Sequence, residues 1–276
     1  MIMRQLTIWS NRFKKFRDYP LAVVPFLKKY FYYNWVADSY LKYYKDVQFL
    51  DYQATIESLI KENRSFVRFG DDVFDMLEGI GLYFNDWRQR YEPDLAKRLL
   101  EVLSSSHSKL LVGFNPELIL MSKREFKERG IPEQYHYWTN SKIYLKDYIN
   151  FGQVYGRALS FQERYYPELP YDKIFLYLKN KHLIIVASNI SRFKNQRFGL
   201  TTDYVEGPSS DAWSVYLELM ENVKSIALRY PKKQILIMSS LGPTSKVMAY
   251  DLTLDGYTVW DTGQFFDLAL KKVSAS

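Results

Sequence analysis

Residues 65–74 read Ser-Phe-Val-Arg-Phe-Gly-Asp-Asp-Val-Phe, and this stretch decides the fold. An apolar run of strand type ends at Gly70, and a helix-like pattern follows at once. In open α/β sheets, ligands bind at the carboxyl ends of the strands. Arg68, Asp71 and Asp72 at such a turn suit a phosphate and a divalent cation that bridges to it. The alternative is structural, with Gly70 making the turn and Asp72 capping the helix.

A second strand, turn and helix pattern lies late in the chain. Residues 234–239 are apolar and of strand type, and an amphipathic helix follows after a turn that contains Gly242, Pro243 and Thr244. Backbone N–H groups at the start of such a helix bind phosphate oxygens, and a threonine hydroxyl adds a further donor. These three residues are therefore candidates for binding a nucleotide or its diphosphate.

Four motifs follow one another in the order found in a known family: RFGD at 68–71, LGPT at 241–244, VMAYDL at 247–252 and GYTVWD at 256–261. With these motifs the chain resembles the GT-D glycosyltransferases, bacterial enzymes with a Rossmann-like fold. The resemblance covers about residues 60–265 and includes two arginine-containing turns. It implies that a nucleotide sugar is bound by Arg68, Gly70, Asp72, Arg157, Arg192, Gly242, Pro243 and Thr244.

The chain departs from the family pattern directly after Asp71. Family members have a glycine and then a glutamate there, and the resemblance implies that the aspartate and the glutamate bind the nucleotide sugar and a metal ion. Here Asp72 replaces the glycine and Val73 replaces the glutamate. Near the C-terminus, Gly263 is followed by glutamine where the family often has histidine. We therefore expect Asp71 and Asp72 to bind Mn²⁺ or Mg²⁺ weakly, because one carboxylate is missing.

The resemblance also implies an activity. It is the transfer of a hexose, glucose or galactose, from a UDP-sugar to a glycan or glycoprotein acceptor; relatives in the family glycosylate bacterial surface adhesins. Asp71 and Asp211 are the candidate catalytic residues, and Asp86 is a further candidate for the base that deprotonates the acceptor. Two alternatives stay open: a non-catalytic partner of a glycosyltransferase, which Val73 suggests, and a nucleotide- or sugar-phosphate-binding protein with different chemistry.

The order of predicted elements indicates the fold class. Strands are predicted at 65–69, 109–114, 182–188, 234–239 and 257–261, with helix-like segments between them. This alternation predicts an α/β fold, Rossmann-like, with a mostly parallel sheet and helices on both faces. The tyrosine-rich interval 115–181, with Pro132, Pro167 and Pro170, is predicted to be irregular and to form the acceptor side of the cleft. Residues 51–276 are predicted to form the transferase domain.

Residues 1–50 are predicted to form a basic, aromatic, helical extension, broken near Pro20 and Pro25. They hold nine Lys or Arg and three Asp, a balance of +6 in a chain of net charge +7. Aromatic and apolar side chains fall on one face of a predicted helix, at Leu6, Trp9, Phe13 and Phe16. Such a helix binds an anionic membrane peripherally, or it packs on the transferase domain or on a second copy of the chain.

Several classes of protein are excluded by composition. The chain has no cysteine, so it forms no disulfide or thiolate zinc site, and this fits a reducing compartment such as the cytoplasm. Its three histidines are scattered, and its most apolar early run is far shorter than a membrane span needs. No nucleic-acid-binding motif accompanies the basic segment. We therefore expect a cytoplasmic enzyme, peripheral at the inner membrane face, with no nucleic acid partner.

Overall fold

The computed structural model describes residues 14–83, 87–193 and 198–265. The chain divides into two compact units. The first takes the residues up to Gln48 together with Phe69–Ser104 and Asn115–Gln153, and the second takes Phe49–Arg68, Ser105–Phe114 and the residues from Val154 onward.

The strands of the described residues are β1 (Gln48–Phe49), β2 (Ser65–Arg68), β3 (Leu82–Tyr83), β4 (Arg88–Gln89), β5 (Leu110–Phe114), β6 (Val154–Arg157), β7 (His182–Ala187), β8 (Thr201–Glu206), β9 (Ile235–Ser240) and β10 (Thr258–Asp261). The α-helices are α1 (Val23–Lys28), α2 (Asn34–Val36), α3 (Tyr52–Lys61), α4 (Asp71–Leu77), α5 (Pro93–Leu103), α6 (Pro116–Ile119), α7 (Lys123–Glu128), α8 (Thr139–Tyr148), α9 (Tyr171–Leu178), α10 (Tyr216–Ala227) and α11 (Pro243–Leu254). Tighter 3-10 turns lie at Pro20–Ala22, Ala37–Tyr44, Pro132–Tyr137, Ile190–Phe193, Ala212–Val215 and Lys232–Gln234, and a π-helical turn lies at Lys29–Tyr33.

A single large sheet organises the second unit. Its strand order is β1-β6-β5-β2-β10-β9-β7-β8, and every neighbouring pair from β6 to β8 is parallel. All five predicted strands are present, and the predicted α/β fold with a mostly parallel sheet is confirmed. Because the strands are parallel, their carboxyl ends lie along one edge, and β2 and β10 end next to each other at its middle.

The core of the second unit follows from the alternation of side chains along the strands. Phe66, Trp260 and Met238 belong to one buried cluster, which apolar residues of α3 and α9 complete. The intervening residues, such as Val67 and Val259, point to the opposite face, where α11 packs against β2 and β10. Helices therefore cover both faces of the sheet, as predicted.

The first unit is mostly helical and contains the short β3–β4 hairpin. The predicted helical N-terminal region is present from residue 14, whereas the predicted aromatic face at Leu6, Trp9 and Phe13 lies outside the described residues. A 3-10 turn begins at Pro20, but Pro25 does not break the chain. It lies in the first turn of α1, where backbone N–H groups need no helical partner.

The interval 115–181 is regular, so its prediction as an irregular segment is wrong. It contains α6, α7, α8, β6 and α9. Pro116 opens α6 at a position where proline is tolerated. Ser122 and Glu125 form a capping box at the start of α7, with the Ser122 N–H donating to Glu125 Oε2 at 2.6 Å. Of the prolines behind the prediction, Pro132 begins a 3-10 turn and Pro170 is the N-cap of α9.

Candidate functional site

A buried charge cluster joins the ends of β2 and β10 in the second unit. Arg68 closes β2 and Asp261 closes β10, and Arg68 Nη2 lies 3.3 Å from Asp261 Oδ1. Lys246, in the first turns of α11, donates from Nζ to Asp261 Oδ2 at 3.1 Å. Asp261 is 1% exposed and Lys246 is 5% exposed. The parallel pairing of β2 with β10 brings Arg68 to Asp261, and the helix α11 brings Lys246 to the same carboxylate.

The electrostatics of this cluster favour a charged Asp261. Burial by itself raises the pKa of Asp261, but the charges of Arg68 and Lys246 and their hydrogen bonds outweigh burial and hold the pKa below its usual value. Asp261 is thus ionised at neutral pH. With both cations charged, the cluster keeps a net charge of +1, which suits an anionic ligand.

The turn between β9 and α11 has a backbone that favours glycine. Gly242 has φ 59° and ψ −134°, and Pro243 follows it at the first position of the helix. Ser245 fixes the turn from inside, because its hydroxyl accepts the Leu241 N–H at 2.6 Å and lies 2.7 Å from Ser239 Oγ. The Gly-Pro-Thr turn predicted to bind phosphate is therefore a rigid helix start.

Three polar atoms at these element ends are buried without a hydrogen-bond partner among the described residues. They are Arg68 Nε, Thr244 Oγ1 and Thr262 Oγ1. Thr244 and Thr262 are both 0% exposed. Leaving such a group unpaired costs about 1–3 kcal/mol. Unpaired donors beside a cationic cluster and a helix start are what an oxygen-rich ligand satisfies.

Gly263 makes room for the Arg68 guanidinium. It has φ 53°, a left-handed conformation, and a Cβ built on it would lie 2.3 Å from Arg68 Nη2. A side chain at this position therefore displaces Arg68. The need for space around Arg68 is therefore a physical reason for glycine at position 263, after the last strand.

The carboxylates after β2 belong to the first unit. Gly70 is the N-cap of α4, and Asp71 and Asp72 occupy its first turn, where negative charge is favoured. Asp72 Oδ1 accepts the adjacent Val73 N–H at 2.9 Å. No side chain caps α4 from the N-cap position, so the alternative in which Asp72 caps the helix is wrong. Asp75 is paired with Lys29 and also accepts from Asn140 Nδ2 at 2.8 Å.

Asp71 has a different environment from its neighbours. Burial raises the pKa of Asp71 to about 7, the carboxylates of Asp72 and Asp75 add to this, and the charge of Lys29 opposes it. Within the described ranges, no group of three or more His, Cys, Asp or Glu side chains is placed to hold a metal ion. The chain thus supplies two neighbouring carboxylates here, the number with which Mg²⁺ is commonly bound when phosphates complete its ligands.

Val73, at the family's glutamate position, is 0% exposed. The substitution therefore replaces a charged side chain by one that contributes to the apolar core of the first unit.

Three other predicted residues lie apart from the Arg68 cluster. Arg157 closes β6, two strands from β2, and donates from Nε to the Leu50 carbonyl at 2.8 Å. Arg192 lies in the turn after β7 with its guanidinium carbon 4.6 Å from the centre of the Phe193 ring. Asp211 is a buried residue with φ 54° at the start of the turn Ala212–Val215. Asp86 lies outside the described residues.

A cavity of about 620 Å³ opens at the carboxyl ends of β7 and β8, on the same edge of the sheet as the charge cluster. It is lined by Ser188, Asn189, Glu206, Gly207, Pro208 and Ser209. Its volume is that of a small-molecule site. Arg192 and Asp211 are close to this lining in the sequence.

Sequence reasoning missed Lys246, Asp261 and Thr262 as site residues. Asp261 is the last residue of the GYTVWD motif and of a predicted strand. Its position at a strand end was the signal that could have identified it as a site residue. Lys246 follows the Gly-Pro-Thr turn by two residues, but a lysine on a helix is usually solvated.

Comparison with known proteins agrees with this geometry. A family model described as the glycosyltransferase GT-D fold matches residues 66–267. The chain is 28% identical over 238 residues to a probable glycosyl transferase Gly of Streptococcus gordonii, which covers 79% of the chain and 32% of that protein. It is 25% identical over 222 residues to the glycosyltransferase GlyD of Streptococcus pneumoniae serotype 4, which covers 76% of the chain and 26% of that protein. The chain thus spans about a third or less of the length of these relatives.

Solved structures give the same fold. One, of a highly conserved domain of unknown function with a distinct glycosyltransferase fold, has a TM-score of 0.67 at 22% identity and covers 83% of this chain and 82% of its own. Another, a new glycosyltransferase from Streptococcus sanguinis, has a TM-score of 0.60 at 24% identity and covers 79% of this chain and 82% of its own.

Proposed function

This chain belongs to the glycosyltransferase GT-D fold family, and we propose that it transfers a hexose from a UDP-sugar to a hydroxyl of a glycan or glycoprotein acceptor. The observation that carries the proposal is the buried Arg68–Asp261–Lys246 cluster beside the unpaired hydroxyl of Thr244. This arrangement supports a role in binding a diphosphate.

The proposed chemistry needs positive charge at the leaving group. When the bond from the sugar to the nucleoside diphosphate breaks, negative charge grows on the diphosphate, and fixed donors stabilise it. Arg68 and Lys246 supply charge, while Asp261 holds both in position. Thr244 donates its hydroxyl, and the start of α11 adds its backbone N–H groups.

Asp71 and Asp72 are the proposed holders of Mg²⁺ or Mn²⁺, with the remaining ligands coming from the diphosphate. When bound, the ion supplies Lewis-acid stabilisation of the leaving diphosphate. Asp71 follows Arg68 by three residues in the chain. Asp211 remains the proposed base.

Thr244→Val provides a direct test. Because Thr244 Oγ1 has no partner among the described residues, the substitution removes no internal hydrogen bond, and the melting temperature should be unchanged or higher. Loss of a hydrogen bond to a charged diphosphate should weaken UDP binding about 10- to 100-fold. Thr253→Val on the same helix is the matched control, since Thr253 Oγ1 donates to the Ala249 carbonyl. It should lower stability and leave the affinity for UDP unchanged.

Turnover separates a transferase from a binding protein. UDP-, GDP- and dTDP-sugars are screened by thermal shift with and without Mn²⁺, and hydrolysis of each stabilising donor is then measured. Asp71→Ala should reduce turnover about 10²- to 10³-fold. Binding without hydrolysis or transfer would favour the alternative that Val73 suggests, a non-catalytic partner of a glycosyltransferase. No binding of any nucleotide sugar would refute the proposal.

A further inference from the structure

One helical run of the first unit exposes a row of large apolar side chains on its outer face. From Pro20 to Tyr44 the chain passes through consecutive helical turns. Its inner face is formed by Ala22, Lys29, Tyr33 and Ala37, which are 0%, 5%, 3% and 0% exposed. Lys29 pairs with Asp75, and the Tyr33 hydroxyl donates to Glu78, so polar bonds help to fix this face.

The outer face of the same run is apolar. It consists of Leu21, Val24, Leu27, Phe31 and Trp35, which are 67%, 67%, 48%, 72% and 83% exposed. These residues recur every three or four positions, so they form one continuous ridge. A surface helix normally exposes its polar face. A contiguous exposed apolar ridge indicates a binding surface.

Exposed cations lie in the same stretch of the chain. Lys14, Lys42 and Lys45 are exposed, and Arg17 and Lys28, with side chains 72% and 49% exposed, pair with Asp18 and Glu78. Tyr30 and Tyr32 add aromatic rings at 39% and 51% exposure. Trp and Tyr beside lysines are typical of segments that lie at the boundary between headgroups and acyl chains.

We propose that the outer face binds the surface of an anionic lipid membrane. Leu21, Phe31 and Trp35 enter the acyl boundary, and the exposed lysines contact the anionic headgroups. A second copy of the chain suits this face less well, because pairing two copies brings the same cations together. No helix in the described ranges is long and apolar enough to cross a bilayer.

Vesicle flotation of the full chain tests the proposal. The protein should bind vesicles of phosphatidylcholine with phosphatidylglycerol at least about tenfold more strongly than vesicles of phosphatidylcholine alone. Added salt should weaken this preference, because it screens exposed charges. The double variant Phe31→Ser, Trp35→Ser should lose about tenfold or more of the binding, while its melting temperature stays that of the parent because both side chains are exposed.

The matched control is the double variant Leu217→Ser, Leu228→Ser, with Leu217 in α10 and Leu228 directly after it. These leucines are 75% and 81% exposed, so the control removes two similarly exposed apolar side chains elsewhere. It should bind vesicles like the parent. Equal vesicle binding by both double variants, or binding indifferent to phosphatidylglycerol, would overturn the proposal. So would a dimer in sedimentation that only the Phe31→Ser, Trp35→Ser variant dissociates, because a second copy would then cover the face.

Discussion

Replacing Asp261 by asparagine tests the buried charge cluster most directly. The substitution keeps the shape of the side chain but leaves Arg68 and Lys246 without their counter-charge in a site where Asp261 is 1% exposed. Removing one partner of a buried ion pair costs about 3–5 kcal/mol. We therefore expect the free energy of unfolding at neutral pH to fall by about this amount in urea titrations monitored by circular dichroism.

The control is Glu128→Gln, which makes the same chemical change in an exposed pair. Arg124 and Glu128 are 2.7 Å apart, with side chains 86% and 55% exposed. Such pairs contribute at most about 1 kcal/mol. If Asp261→Asn were as mild as Glu128→Gln, the two cations would not depend on Asp261, and the account of the cluster would be wrong.

Acid adds a second signature. Since the folded state lowers the pKa of Asp261, its contribution to stability is present above the pKa of an unfolded aspartate and is lost as pH falls through the folded value. The stability gap between the parent and Asp261→Asn should therefore narrow in acid, below about pH 4.

Three further predictions follow from the structure. Gly263→Ala should lower both stability and UDP affinity, because its Cβ would lie 2.3 Å from Arg68 Nη2 at a backbone φ of 53°. A melting curve and a UDP titration measure the two effects. An unaltered UDP affinity would contradict the role given to Arg68. Val73→Glu should destabilise the first unit by several kcal/mol, because it buries a carboxylate at a position that is 0% exposed. Val73→Ile adds only one methylene and should cost less than about 3 kcal/mol. Equal unfolding midpoints for the two variants would contradict this expectation. Burial lowers the pKa of Lys142 from 10.5 to about 8, although the charges of Asp38 and Glu125 oppose the shift. Between these two pH values the unfolded chain binds more protons than the folded chain, so the parent should gain stability relative to Lys142→Met as pH rises from 8 towards 10.5. A constant difference in stability between the two proteins would show that Lys142 titrates normally.

The sequence predicts the buried central strands well, because continuous apolar runs such as residues 234–239 are typical of parallel strands that are buried on both faces. It fails for β8, whose sequence Thr-Thr-Asp-Tyr-Val-Glu is polar. Among the described residues this strand lies at the edge of the sheet and pairs with β7 alone, and most of its side chains are partly exposed. It fails also for β6, where Gly156 and Arg157 resemble a turn. A Cβ at Gly156 would lie 3.0 Å from Leu111 Cδ2, a tight contact that favours glycine in this strand.

The candidate site could be predicted only in part, and the reason is distance along the chain. Arg68 and the Gly-Pro-Thr turn are local signals that end a strand and begin a helix. The partnership of Arg68 with Asp261 joins residues 193 positions apart, and only the strand order makes them neighbours. Asp72 shows the opposite case: its carboxylate is conspicuous in the sequence but accepts a hydrogen bond from the adjacent N–H.

The position of β10 has a consequence for biosynthesis. In chain order it is the last strand of the described residues, yet it lies between β2 and β9 in the middle of the sheet. During translation the strands on its two sides are made first, and they cannot join into one sheet until β10 has left the ribosome. Until then β2 and β9 each have an unpaired edge, which is a template for aggregation. We therefore expect the nascent chain to be most prone to aggregation before its last central strand is complete.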